Sequence, residues 1–164
     1  MQDGLSKLKR GEKFQIFDSF IFEIIQDLAE TKMSKVFLVK NVKSNEQLVA
    51  KAALVRGQSN TIQDENKKFI DKEARILLTL PPHPNIVNCF LVERIGGRLH
   101  VFMEYIDEGN LEDWIKKDKG ASNWFILLHI LKQIIKAMIH AHNHGLIHRD
   151  LKPRNILVSS KQRH

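Results

Sequence analysis

Between Phe20 and Val55 the apolar residues come in short β-rich runs, whereas beyond Asn123 they recur at helical intervals. The first pattern places strands and the second a helix, because side chains alternate across a strand but return to one face of a helix every three to four residues. Phe20 to Leu28, Val36 to Lys40 and Gln47 to Val55 are predicted strands, with a turn at Ser44-Asn45. A helix is predicted from about Thr61 to Leu80, stopped by Pro81-Pro82, since proline disfavours helical geometry in the residue before it. Cys89 to Ile95 and Arg98 to Tyr105 flank Gly96-Gly97, a strong two-residue hairpin signal. The order β-β-β-α-β-β makes an antiparallel five-stranded sheet with one helix. Residues 1–19, polar and basic, are expected to be a weakly structured lead-in.

The later part is helical. Asn110 can cap a short helix, with Asp113 in its first turn. A longer helix is predicted from Asn123 to His144, ended by Gly145. Trp124, Leu127, Leu128, Leu131, Ile134, Ile135, Met138 and Ile139 form its apolar stripe, which reads as core.

Composition narrows the function. Hydrophobic residues make up 43% of the 164, enough for a buried core, and the formal charge is +7. A nucleic-acid groove is not expected, because the lysines are scattered and aromatics are only 7%, without interleaved stacking residues. Cys89 is the single cysteine, which fits a reducing, cytoplasmic setting. No signal peptide is visible, and His129, Lys132 and Lys136 interrupt the most apolar stretch, so no membrane span is expected.

Four places carry candidate chemistry. On the third strand Val49, Lys51, Ala53 and Val55 share a face. Lys51 either snorkels at a strand edge or, if that face is buried, needs an anionic partner. Glu73 lies on the stripe of Phe69, Ile76, Leu77 and Leu80, as a rim residue or as that partner. His140 and His144 are one helical turn apart, with His142 and His148 nearby, a spacing a metal could use, although no cysteine or carboxylate completes a set. The sharpest signal is His148-Arg149-Asp150-Leu151-Lys152-Pro153-Arg154-Asn155. It places an acid, a lysine and an amide at fixed offsets on one loop, a set suited to holding a hydroxyl, a phosphoryl oxygen and a metal ion.

That loop resembles the catalytic loop of the eukaryotic-type serine/threonine protein kinases, His-Arg-Asp-x-Lys-x-x-Asn, at every fixed position. Val101-Phe102-Met103-Glu104-Tyr105-Ile106 resembles the strand and hinge of that family, and His83-Pro84-Asn85-Ile86-Val87 the segment after its regulatory helix. The resemblance implies an α+β, kinase-like fold: a small lobe and hinge over 20–106 and the start of a mainly helical large lobe over 107–164. It implies phosphoryl transfer from ATP to a protein serine or threonine hydroxyl, with Mg²⁺ as cofactor. Asp150 would accept or orient the hydroxyl proton, Lys152 would neutralise the transferring phosphoryl group, and Asn155 would bind Mg²⁺. Lys51 would hold the α- and β-phosphates, oriented by Glu73. Leu28, Val36, Val49, Met103 and Leu157 would line the adenine site, with Glu104 and Ile106 offering backbone hydrogen bonds. His142 and His148 are accounted for without a metal.

Two departures weaken the nucleotide side. The three glycine positions of the family's phosphate loop hold Ala29, Thr31 and Ser34, whose β-carbons stiffen a cradle built on backbone amides. The residue two before Lys51, small in the family, is Val49. The family's Asp-Phe-Gly segment does not occur among the 164 residues. The expectation is therefore a chain with impaired activity or none, whose 124–139 helix face is left for a partner to cover. A non-catalytic, kinase-like binding module is the alternative.

Overall fold

Two compact units make up the chain: Met1–Thr79 with Cys89–Tyr105, and Leu80–Asn88 with Ile106–His164. The computed structural model describes residues 5, 8–17, 19–32, 34–54, 78–96, 98–117 and 123–160. Most of the helix predicted over Thr61–Leu80, Glu73 included, lies outside the described residues, as does Val55; Leu78 and Thr79 are helical.

The first unit holds six strands: β1 (Lys13–Ile16), β2 (Phe20–Glu30), β3 (Ser34–Asn41), β4 (Gln47–Ala53), β5 (Cys89–Ile95) and β6 (Arg98–Glu104). They form one antiparallel sheet in the order β1-β2-β3-β4-β6-β5. The five predicted strands are all present, and β1 is an addition inside what reads as a weakly structured lead-in. Its sequence, Lys-Phe-Gln-Ile, alternates, so Phe14 and Ile16 turn into the core while Lys13 and Gln15 face out.

One face of the sheet carries the core. Phe14, Phe22, Ile24, Phe37, Val39, Leu48, Ala50, Ala52 and Phe102 are buried there together with Leu5 from the N-terminal segment. Phe22 stacks on both Phe14 and Phe102 at 5.6 Å between ring centroids. On β4 the face left open by the sequence is the less covered one. The buried side is Leu48, Ala50 and Ala52, while Val49, Lys51 and Ala53 share the opposite, more open side, and Lys51 is exposed. His100 is the exception in the apolar face: fully buried, opposite Ala52 of β4 and Glu93 of β5.

In the second unit α1 (Leu111–Lys116) is capped by Asn110, whose side-chain oxygen accepts from the Asp113 amide at 2.9 Å. α2 (Trp124–Asn143) is capped by Asn123, which accepts from the Phe125 amide at 3.0 Å. It ends in a Schellman motif around Gly145 at φ +74°: Leu146 N–H donates to Ala141 O at 2.9 Å and Gly145 N–H to His142 O at 2.9 Å. Asn110 and Gly145 fall where a cap and a terminator are predicted, and Asn123, predicted as the first helical residue, is the cap of α2. The stripe does not form a core, however. Only Ala137 and Ala141 of α2 are buried, and Trp124, Phe125 and Ile139 are 58%, 66% and 55% exposed. By length and composition alone this helix would suffice to cross a membrane, a test that lone apolar helices of other kinds also pass. Beyond the 3₁₀ turn at Pro153–Asn155, Leu157 forms an isolated antiparallel bridge with Asn110.

His83, His140 and His144 stack in a row, with ring centroids 4.8 and 4.5 Å apart. Their ring nitrogens are engaged by the backbone: His83 Nδ1 accepts from the Asn85 amide, His140 Nε2 meets Pro81 O, and His144 Nδ1 meets His140 O. Among the described residues no three His, Cys, Asp or Glu side chains are placed to hold a metal. Partial burial, His140 and Lys136 lower the His83 pKa from its usual value. A histidine that resists its proton in the fold loses stability as pH falls below the ordinary value near 6.5. The protection factors of the Asn85 and Ile86 amides, taken relative to their intrinsic exchange rates, are therefore expected to fall between pH 7 and pH 5, and His83→Asn should flatten that dependence. An exchange rate that follows only intrinsic chemistry in both proteins would count against it.

Candidate active site

Each unit carries part of the expected machinery. In the first, the open face of the sheet sets Ala29, Val36, Lys51 and Val101 in one row across β2, β3, β4 and β6. Leu38, Val49 and Met103 form the adjacent row. Register alone explains this, since residues directly opposite in an antiparallel pair point to the same side. A lysine flanked by aliphatic side chains is thus presented on a surface otherwise suited to a flat apolar ligand. Leu28 sits where β2 is irregular, between Asp27 and Ala29, and is exposed. Met103 and Glu104 end β6 and are half-buried.

The β2–β3 turn occupies the place expected of a phosphate cradle. Thr31 N–H donates to Ser34 O at 2.8 Å, and Ser34 N–H donates to Thr31 Oγ1 at 3.0 Å. The Ser34 N–H, held by a side chain that glycine lacks, is a backbone donor that a glycine-rich turn would leave to a phosphate, and it is spent within the turn. Thr31→Gly with Ser34→Gly frees the position-34 N–H and is expected to raise ATP affinity severalfold, on the order of one neutral hydrogen bond. Calorimetric titration reads this directly, and unchanged or weaker binding would sink it.

In the second unit the catalytic loop closes on itself. Asp150 Oδ2 accepts from Asn155 Nδ2 at 2.9 Å and from Lys152 Nζ at 2.9 Å, while Asn155 Nδ2 also donates to Asp150 O at 2.8 Å. The predicted trio is thus gathered around one carboxylate. Lys152 and then Asn155 hold its pKa below the usual carboxylate value, so it is an anion at neutral pH. The chain reaches this arrangement by an uncommon backbone. Arg149 has φ +62°, and across it Asp150 N–H donates to His148 O at 2.9 Å. A non-glycine residue in that region is strained, and such strain is tolerated where neighbouring structure over-determines it.

Short ties hold the loop to the segment around α1. Leu111 N–H donates to Ile156 O at 2.8 Å, Val158 N–H to Gly109 O at 2.8 Å, and Glu108 N–H to Val158 O at 3.1 Å. Arg154 pairs with Glu112 through Nε and Nη2, and Lys116 reaches the same carboxylate at 2.9 Å. These cations hold the Glu112 pKa at about 2, so the pair's stabilisation is complete above the ordinary carboxylate range and disappears as pH falls toward 2. Sequence reasoning passed over this pair; only the Glu112–Lys116 spacing of four hinted at it. Ile106 is buried in this unit, and Leu157 is exposed apart from its bridge to Asn110.

The residues fit a nucleotide in part. An apolar face with Lys51 suits a base and phosphates. A magnesium site is not complete among the described residues: Asn155 offers one amide oxygen beside a carboxylate already held by Lys152, and Mg²⁺ asks for six oxygens with carboxylate among them.

The protein kinase domain matches residues 22–164, so the chain belongs to that family. It is 33% identical over 140 residues to the probable serine/threonine-protein kinase PknB of Lactococcus lactis, covering 85% of this chain and 22% of that protein. It is 31% identical to cyclin-dependent kinase-like 4 of Mus musculus over 140 residues, 85% of this chain and 39% of that one. Against the crystal structure of a point mutant of the Mycobacterium tuberculosis PknI kinase domain, the TM-score is 0.71 at 23% identity, over 94% of this chain and 60% of the other. That likeness confirms the kinase fold. The chain spans well under half the length of the two relatives named first.

Proposed function

We propose that the chain is part of a serine/threonine protein kinase, transferring the γ-phosphoryl group of ATP to a protein serine or threonine hydroxyl. The observation that supports this most is the Asp150 carboxylate held between Lys152 and Asn155. An anionic acceptor beside a fixed ammonium group can orient a hydroxyl proton and offset charge on a phosphoryl oxygen. Positioning and charge neutralisation supply most of the rate in this chemistry. Lys51, flanked by Val36 and Val49, is the proposed phosphate ligand, with Met103 against the base and Glu104 and Ile106 as its backbone partners. Glu73 is proposed to orient Lys51. Asn155 is the proposed ligand for Mg²⁺, which when bound screens phosphate charge. Because the donor set is incomplete, turnover by these 164 residues is expected to be slow. A cytoplasmic location, inferred from the single Cys89, belongs to the same proposal.

The Ser34 N–H spent on Thr31 Oγ1 favours a second reading, a kinase-like module that does not transfer phosphate. Two measurements separate them. ATP at ten times its Kd should stabilise the chain by about 1.4 kcal/mol in a thermal-shift experiment, an effect that Lys51→Ala reduces. Labelled phosphate from ATP should appear on a protein hydroxyl, and Asp150→Asn should lower that transfer by roughly a hundredfold or more. Binding without transfer supports the second reading, and neither binding nor transfer overturns the first.

A further inference from the structure

The loop His148–Asn155 is exposed along most of its length, with no buried side chain between Ile147 and Asn155. Apolar packing therefore does not hold it, and its geometry must come from polar ties. Those of Asp150, Lys152 and Asn155 run within the loop. Among the described residues, the polar side-chain tie from this loop to another element is Arg154 to Glu112, 42 positions apart. Arg154 belongs to the 3₁₀ turn Pro153–Asn155, which Asn155 N–H closes on Lys152 O at 2.8 Å. Holding Arg154 thus holds the backbone from which the Asn155 amide reaches Asp150.

The partners suit a fixed anchor. Arginine presents a planar fork that meets a carboxylate at two points, so fewer side-chain conformations remain than in a lysine contact. Glu112 stands on a capped helix, is only partly exposed, and is further steadied by Lys116 from the next turn. We propose that Glu112 is a positioning residue: through Arg154 it sets the 3₁₀ turn so that Asn155 grips the Asp150 carboxylate. This inference rests on the reading of Asp150 and Asn155 as the working pair of a phosphotransferase.

Hydrogen exchange of the Asn155 carboxamide in the full chain, followed by NMR with ¹⁵N-asparagine, tests this without requiring turnover. In the unaltered chain both bonds to Asp150 should slow that exchange. Glu112→Ala and Arg154→Ala should each speed it by roughly threefold to fivefold, with the global unfolding midpoint little changed. The reversed pair, Glu112→Arg with Arg154→Glu, should restore slow exchange, which a general weakening of α1 would not allow. Exchange that stays slow in both single variants overturns the positioning role alone. A carboxamide unprotected in the unaltered chain overturns the role and the Asp150–Asn155 pairing together.

Discussion

Truncating Phe102 to alanine should cost about 3–5 kcal/mol of unfolding free energy, a large share of the total stability of a domain this size. Phe102 is 1% exposed, stands on β6 opposite Ala50, and contacts the Phe22 ring at 5.6 Å and Phe14 at 6.3 Å between centroids. These three rings bring β1, β2 and β6 together, strands that are not all neighbours in the sheet. Removing the Phe102 ring leaves a cavity beside the Phe14 and Phe22 rings, which hydrogen-bonded strands hold apart, so the transfer and cavity penalties add. Phe125→Ala on α2 deletes the same group from a residue that is 66% exposed and should change stability by no more than about 0.5 kcal/mol. Urea unfolding followed by circular dichroism gives both values. A Phe102→Ala cost below about 1 kcal/mol would show that the aromatic cluster is not the unit's core.

What was legible in the sequence follows from how local each feature is. The catalytic loop could be read because its chemistry depends on residue identities at fixed offsets within one short segment, and the structure gathers Asp150, Lys152 and Asn155 accordingly. The caps at Asn110, Asn123 and Gly145 are equally local. By contrast β1 has just two inward residues, too few for alternation to stand out from a polar lead-in. For β4 the period of two correctly grouped Val49 with Lys51, but periodicity does not say which face is covered. That depended on Leu5 and Phe102, which are remote in sequence. The stripe on α2 shows the same limit: an apolar face records what a helix is suited to meet, and in the described residues it stays exposed. Arg154 and Glu112 meet across 42 positions, and no local pattern joins them.

Acid should destabilise the first unit through His100, and His100→Leu should remove most of that sensitivity. His100 is 0% exposed, its Nδ1 lies 2.8 Å from Arg98 O, and its Nε2 has no hydrogen-bond partner among the described residues. Nδ1 must therefore donate, leaving Nε2 as a bare acceptor on the apolar face that Ala52 and Phe102 share. A proton on Nε2 would bury a cation there. Burial accordingly lowers the pKa, the Arg98 carbonyl bond opposes that shift, and the Arg98 charge reinforces it. Across the sheet the ring faces Glu93 of β5, whose carboxylate is turned to the Arg94 amide at 3.0 Å, and beyond Ala52 lies Lys35 of β3, engaged with Asp27 at 2.8 Å. The sign follows from linkage. With the folded-state pKa depressed, the unfolded chain takes up the proton first as pH falls below about 6.5, and stability drops by up to about 1.4 kcal/mol per pH unit until the folded pKa is passed. Above that window the same histidine costs nothing through protonation, though its unpaired Nε2 still carries a desolvation penalty on the order of 1–3 kcal/mol. His100→Leu removes both effects and loses one bond to the Arg98 carbonyl. Its stability at about pH 8 should therefore equal or exceed that of the unaltered chain, and below about pH 6.5 its unfolding free energy should fall less steeply, by at most one proton's worth. Urea unfolding at half-unit pH intervals measures both quantities, and parallel pH profiles for the two proteins would show that His100 carries its proton freely in the fold.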